Sequence, residues 1–238
     1  MKIYSGDNLI NFRDLGGYKC KSGFTRDGIA FRCGIPRNPT EKDLTLLKNL
    51  GIKTVIDLRG IEEAKDRPSN FADDPDFDFY HISLLEANPA LSKSNIPLCD
   101  MYAMSMKDYS EGYRDLFRLI GQIDGPFMFH CFLGKDRTGI LSALLLSEAG
   151  VSREDIVENY AISYDLFIGY IENEIRNNTG LIWEQDLSRF KSERKTIECI
   201  LDYIDNEFGS TRNFLKHTGL TDEEIDKAVS KITDLPQG

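Results

Sequence analysis

Residues 130–139 read HCFLGKDRTG, and the fold turns on how this stretch is understood. Ten positions hold a histidine, a cysteine, two glycines, three charges and a threonine. They lie between two apolar runs, PFMFH (126–130) and TGILSALLLSEAG (138–150). Burying Lys135, Asp136 and Arg137 unpaired would cost on the order of several kcal/mol each, so the stretch is either a solvated turn or a site. PFMFH reads as a buried strand, and TGILSALLLSEAG, apolar on nearly every side, reads as a buried helix stopped by Gly150. HCFLGKDRTG is therefore a strand-to-helix connection.

Working outward, KTVIDLR (53–59) is a second β-branched apolar run that predicts a buried strand. It puts Asp57 and Arg59 at the C-terminal end, where ligands bind in open α/β sheets. Ahead of it, Thr40 precedes a leucine-spaced helix stopped by Gly51. GG (16–17), SG (22–23) and DG (27–28) divide residues 1–35 into short pieces such as GIAFR, read as hairpins on a sheet edge. EEAKDRPSNFADDPDFD (62–78) reads as a short helix and loop, FYHISLL (79–85) as a strand, and 86–100 as a loop. A helix is expected over about 108–122. Ser152 with Asp155 caps another running to about 165, and the remainder is helical. Strands alternate with helices to residue 150 and helices follow. The expected fold is α/β, a mainly parallel central sheet flanked by helices, as one domain over 1–238 with a helical C-terminal elaboration from about 152.

Composition narrows the function. The chain has 238 residues and a formal net charge of -10, a long-range field that disfavours nucleic acid and anionic membranes as partners. MKIYSGDNLINF lacks the apolar core of a signal peptide and no run approaches a membrane span, so a cytoplasmic, soluble protein is expected. The five cysteines (20, 33, 99, 131, 199) are scattered without a CxxC pair. They suggest free thiols in a reducing compartment, and no metal site.

Cys131 and Arg137 bracket five residues. The spacing alone is weak, since Cys20 and Arg26 repeat it in CKSGFTR. Only the 131–137 copy starts at the end of a buried strand and finishes in the first turn of a buried helix. There, loop N–H groups and the helix N-terminus converge on an anion, Gly134 permits a sharp turn, and Arg137 grips two phosphate oxygens. A cysteine beside a helix N-terminus and a guanidinium reacts as the thiolate. A nucleophile in a phosphate cradle points to phosphoryl transfer through a phosphocysteine, with a carboxylic acid to protonate the leaving oxygen and activate water. Thr138 is positioned to hydrogen-bond the sulfur.

HCFLGKDRTG resembles the signature loop of the protein-tyrosine phosphatase superfamily, and GKDRTG is similar to the loop of bacterial tyrosine and lipid phosphatases carrying HCxxGKDRTG. NFRDLGGY (11–18), FRCG (31–34), IDLR (56–59) and the tail around GSTRNFLKHTGL (209–220) resemble the family's other motifs in the same order. The resemblance implies a dual-specificity-phosphatase-like fold with extra C-terminal helices, and metal-free, cofactor-free hydrolysis of phosphate monoesters. It makes Cys131 the nucleophile, Arg137 the phosphate ligand, and Lys135 and Asp136 an additional charged pair. Gly60 departs from the hydroxyl residue that commonly follows DLR, and Cys33 from the usual small residue in FRCG.

The expected substrate is a phosphotyrosine protein or peptide, with phosphoserine, phosphothreonine and phosphoinositide secondary. Phe132, Leu133, Gly134, Lys135, Thr138, Arg13 and Arg59 are the expected binding residues, with Lys135 reaching a second phosphate. His130 is expected to hydrogen-bond the loop. The general acid is open among Asp136, Asp57 and Glu86, in that order; an Asp beside Arg137 should be ionised, which opposes the first. Two other classes stay open: a non-catalytic phosphate-binding module, which would not need a thiolate, and a cysteine-loop sulfur transferase or arsenate reductase, which needs a shorter loop or a resolving thiol.

Overall fold

Four short runs, AFRC, TVID, DFYH and FMFH, make the parallel part of the sheet in the computed structural model, which describes residues 1–85, 97–177 and 187–234. The strands are β1 (Arg13–Asp14), β2 (Lys19–Cys20), β3 (Gly23–Phe24), β4 (Ala30–Cys33), β5 (Thr54–Asp57), β6 (Asp78–His81) and β7 (Phe127–His130). The main sheet has the order β1-β4-β7-β5-β6. β4, β7, β5 and β6 run parallel and β1 is antiparallel to β4. β2 and β3 form a separate hairpin. GIAFR is thus corrected from an edge hairpin to an interior strand: Phe31 lies opposite Met128 of β7 and both are buried.

The parallel register aligns the strand ends. Cys33 pairs with His130, and His130 with Asp57, so the segments leaving β4, β5 and β7 emerge at one edge. This is the edge at which parallel sheets bind ligands.

Helices cover both faces: α1 (Glu41–Asn49), α2 (Ile61–Asp66), α3 (Leu98–Asp108), α4 (Ser110–Gln122), α5 (Asp136–Ala149), α6 (Arg153–Ala161), α7 (Ser163–Arg176), α8 (Arg194–Phe208), α9 (Thr211–His217) and α10 (Asp222–Ile232). Thr40 and Asp43 close a capping box on α1, and Ser152 caps α6. Gly60 caps α2 without a side-chain bond, the local consequence of its missing hydroxyl. The predicted helix at 108–122 is α4, preceded by α3, which begins within the last residues of the loop expected over 86–100; the one opening at Ser152 breaks at Ile162 into α6 and α7. α5 is buried along most of its length, from Thr138 to Ala149, because helices from both sides pack on it. One apolar cluster runs from Leu15 through α5 to Ile232, each fully buried Leu or Phe in it contributing about 1.5–3 kcal/mol.

The expectation of free thiols is corrected in part: Cys99 of α3 and Cys199 of α8 form a disulfide, while Cys20, Cys33 and Cys131 are free. The inference from free thiols to a reducing compartment falls with it. Among the described residues no helix is long and apolar enough to cross a membrane.

Candidate active site

The connection from β7 to α5 turns at Gly134, whose φ is +68°; a Cβ there would lie 2.4 Å from the Cys33 carbonyl oxygen. Only glycine fits this turn. The outer side of the loop is tied down. Asn11 Nδ2 donates to the carbonyls of Leu133 (2.9 Å) and Gly134 (3.0 Å), and Arg32 Nη2 donates to that of Gly134 (2.7 Å). Arg13 fixes Asn11 through its carbonyl at 3.0 Å and its side-chain oxygen, and is itself held by the Asn159 carbonyl and Ser163. Since N–H and C=O point opposite ways across a peptide plane, the Leu133 and Gly134 carbonyls drawn outward turn the amides of Gly134 and Lys135 to the inner side.

Arg137 stands in the first turn of α5. Its Nη1 donates to Glu63 Oε2 (2.7 Å) and the Leu85 carbonyl (3.2 Å), and its Nη2 to Glu63 Oε1 (3.3 Å). The Nε–H and the second Nη2–H are left as a parallel fork without a partner among the described residues, suited to two oxygens of one phosphate. Burial opposes the Arg137 charge, yet Glu63 and then Cys131 raise its pKa above the usual value. Cys131 is buried. Thr138 Oγ1 is buried with no hydrogen-bond partner among the described residues.

Asp136 Oδ1 accepts from the Tyr102 hydroxyl, has the Tyr160 hydroxyl at 3.4 Å, and lies 3.3 Å from Lys135 Nζ. Burial pushes its carboxyl up to about 7, against the pull of Arg137 and Tyr160. Burial here acts against the pull that Arg137 exerts on this carboxyl. Its side chain retains 34% exposure, so protons reach it.

The profile of the tyrosine phosphatase family matches residues 4–234. The chain belongs to the tyrosine phosphatase family. It is 30% identical to a tyrosine-protein phosphatase of Nostoc commune over 206 residues, covering 81% of this chain and 70% of that one. The triple specificity protein phosphatase PtpB of Mycobacterium tuberculosis is 27% identical over 187 residues, covering 65% of this chain and 67% of that one. The structure of P. aeruginosa TpbA aligns over 89% of this chain and 92% of that one, at 12% identity and TM-score 0.39. The chain is a protein-tyrosine phosphatase.

The other residues expected in the phosphatase's site are held as follows. Asp57 and Arg59 form a buried ion pair, with Arg59 Nε 3.0 Å from both Asp57 oxygens and Nη2 2.6 Å from Oδ2. Burial alone would raise the Asp57 pKa, but the charges of His130 and Arg59 hold it at about 2. Burial also lowers the pKa of His130. Asp57 is thus no proton donor, and Arg59 has no free face for substrate. Arg13 is buried in the loop's outer support. Lys135 is 3% exposed, with Nζ 3.4 Å from the Lys191 carbonyl, and burial lowers its amine to about 8; it is not a flexible surface cation. Leu133 is buried in an apolar cluster against α7, and Phe132 borders that cluster, half-buried. His130 Nδ1 lies 3.3 Å from the Cys131 carbonyl, as expected of a loop support. Glu86 lies outside the described residues.

Asn11, Arg32, Glu63, Tyr102 and Tyr160 were not singled out in the sequence. Asn11 and Arg32 fall inside NFRDLGGY and FRCG, a signal that pointed to the right segments. Glu63 and the two tyrosines carried none.

Proposed function

We propose that this tyrosine phosphatase works through a phosphocysteine, with Cys131 as nucleophile, Arg137 as phosphate ligand and Asp136 as general acid and base. The Cys131 thiolate attacks phosphorus and the ester P–O bond breaks, the leaving oxygen taking the Asp136 proton. Water then attacks phosphorus, the S–P bond breaks, and Asp136 takes the water proton. The carrying observation is the fork left on Arg137 beside a loop whose amides face inward, above a buried cysteine. The raised Asp136 pKa supplies an acid that holds its proton near neutrality, and the unpartnered Thr138 hydroxyl fits a hydrogen bond to the departing sulfur.

Phosphotyrosine peptides are the preferred substrates in this reading. Phosphoserine and phosphothreonine draw support from the triple specificity named for the mycobacterial relative. Phosphoinositide turnover is secondary, since Lys135 is buried. The whole chain acts as one phosphatase unit, because the cluster around α5 is shared by helices on both sides of residue 152.

The test is hydrolysis of an aryl phosphate and a phosphotyrosine peptide with acid-quench trapping of labelled enzyme. The native chain should carry label on Cys131, and Cys131→Ser should neither label there nor turn over. Full activity in Cys131→Ser would overturn the mechanism; turnover lost equally in Cys20→Ser would mean the wrong cysteine was chosen.

A further inference from the structure

Arg67 ends α2, and its guanidinium carbon lies 5.9 Å from the centroid of the Phe132 ring in the catalytic loop. No carboxylate pairs with that guanidinium among the described residues. Placement follows from the helix: Glu63 and Arg67, four positions apart, share a face. Glu63 grips Arg137 inside the cradle and Arg67 lies over its rim. The position is anchored from below. Arg59, locked to Asp57, donates from Nη1 to the Arg67 carbonyl at 2.8 Å, so the buried pair fixes the backbone that carries the rim cation.

A second guanidinium, this one facing a carboxylate, stands near the same aromatic group. Tyr170 of α7 borders the same apolar cluster as Phe132, and Arg37, 40% exposed and 4.0 Å from Glu174, lies beside its hydroxyl. Both Arg37 and Arg67 act on the Tyr170 hydroxyl. On a chain of net charge -10, an unpaired guanidinium resting on an aromatic ring at a phosphate cradle is a local reversal of the field.

We propose that Arg67, seated on Phe132, forms a second anion subsite that reads an acidic or phosphorylated side chain flanking the phosphotyrosine of a peptide substrate. This rests on the phosphotyrosine-peptide reading above. A carboxylate and a second phosphate share the chemistry; the phosphate, carrying more charge and three acceptor oxygens, gains more from a guanidinium.

The test uses three phosphotyrosine peptides identical but for one flanking residue: alanine, glutamate or phosphoserine. The native enzyme should favour the glutamate and phosphoserine peptides over the alanine peptide in kcat/KM by about three- to tenfold, the range for one partly exposed charged hydrogen bond. Arg67→Ala should bring the ratios near one, Arg67→Glu should invert them, and Arg67→Lys should keep part of the preference. Lys48→Ala, a loss of one exposed positive charge on α1, should leave the ratios as they are. A larger effect with phosphoserine than with glutamate assigns a second phosphate as the better ligand; the reverse assigns a carboxylate. Ratios unmoved in both Arg67→Ala and Arg67→Glu, or moved equally by Lys48→Ala, would overturn the subsite while leaving the activity standing. Failure of the native enzyme to turn over any of the peptides would overturn the activity reading and the subsite with it.

Discussion

Glu63 meets Arg137 end-on, its two oxygens 2.7 and 3.3 Å from the two Nη atoms, and so leaves the Nε side of the guanidinium facing the loop. A carboxylate in this position can act in two ways. It can hold the fork in place for phosphate, or it can compete with phosphate for the same cation. The geometry favours the first, because the edge that Glu63 occupies is not the edge left open.

The two roles predict opposite signs. Glu63→Ala should weaken competitive inhibition by inorganic phosphate and lower kcat by about 10- to 100-fold, the range expected when a transition-state donor loses its alignment. Glu63→Gln, which keeps the shape without the charge, should fall between. If phosphate binds Glu63→Ala more tightly than the native enzyme, Glu63 is a competitor and its positioning role is lost.

Asp136 carries a pH signature. With its carboxyl at about 7, the protonated donor declines above neutrality, and turnover of esters with poor leaving groups should fall along an alkaline limb near that pH. Asp136→Asn should abolish the limb and cost about 10²- to 10⁴-fold on poor leaving groups, much less on good ones. Tyr102→Phe removes a donor to the charged carboxylate, so the pKa should rise and the limb move to higher pH. A group whose carboxyl is raised on folding disfavours the native state as pH climbs, so Asp136→Asn should melt no lower than the native chain at pH 8. An alkaline limb that survives in Asp136→Asn would assign the acid elsewhere.

Asp57 should behave as a structural group. Its pKa falls from 3.8 to about 2, and a depressed carboxyl gives stability present above the unfolded value and lost as pH drops through the folded one. That contribution is about 2 kcal/mol, complete above pH ~4 and fading toward pH 2. Asp57→Asn leaves Arg59 buried without its countercharge and should destabilise the fold by about 3–5 kcal/mol, read by denaturant titration at pH 7. A variant of native stability that turns over only good leaving groups would instead restore Asp57 as the acid.

What was legible follows from how far apart the partners lie. HCFLGKDRTG stood out because its charges interrupt two apolar runs, a contrast confined to one window. Asp57 and Arg59 were placed at the correct sheet edge, but Arg59, just past the end of β5, turns back onto Asp57, and their mutual pairing decided their role. Asn11 takes part through a carbonyl 122 residues away, and Glu63 through a guanidinium 74 residues away. EEAKDR reads as a solvated helix until the fold supplies Arg137. GIAFR was misjudged because the turn pairs around it are local while its partner β7 is distant. The disulfide joins cysteines 100 positions apart with no motif around either.

The turn at Gly134 provides a final prediction, on the loop itself. Gly134→Ala places a Cβ 2.4 Å from the Cys33 carbonyl oxygen and 2.6 Å from the Gly34 nitrogen, both backbone atoms with no rotamer to yield, at a φ of +68° that alanine avoids. The loop must therefore shift off β4, which breaks the hold of Asn11 and Arg32 on its carbonyls and lets the inward amides turn away. Activity toward any phosphate ester should fall by at least about 100-fold, and phosphate should no longer protect the enzyme from thermal unfolding. Because most of the apolar cluster lies away from this turn, the variant should still fold, with a cooperative melt at lower temperature. Retained phosphate protection in a folded Gly134→Ala would mean that the amides of this loop are not what holds the anion.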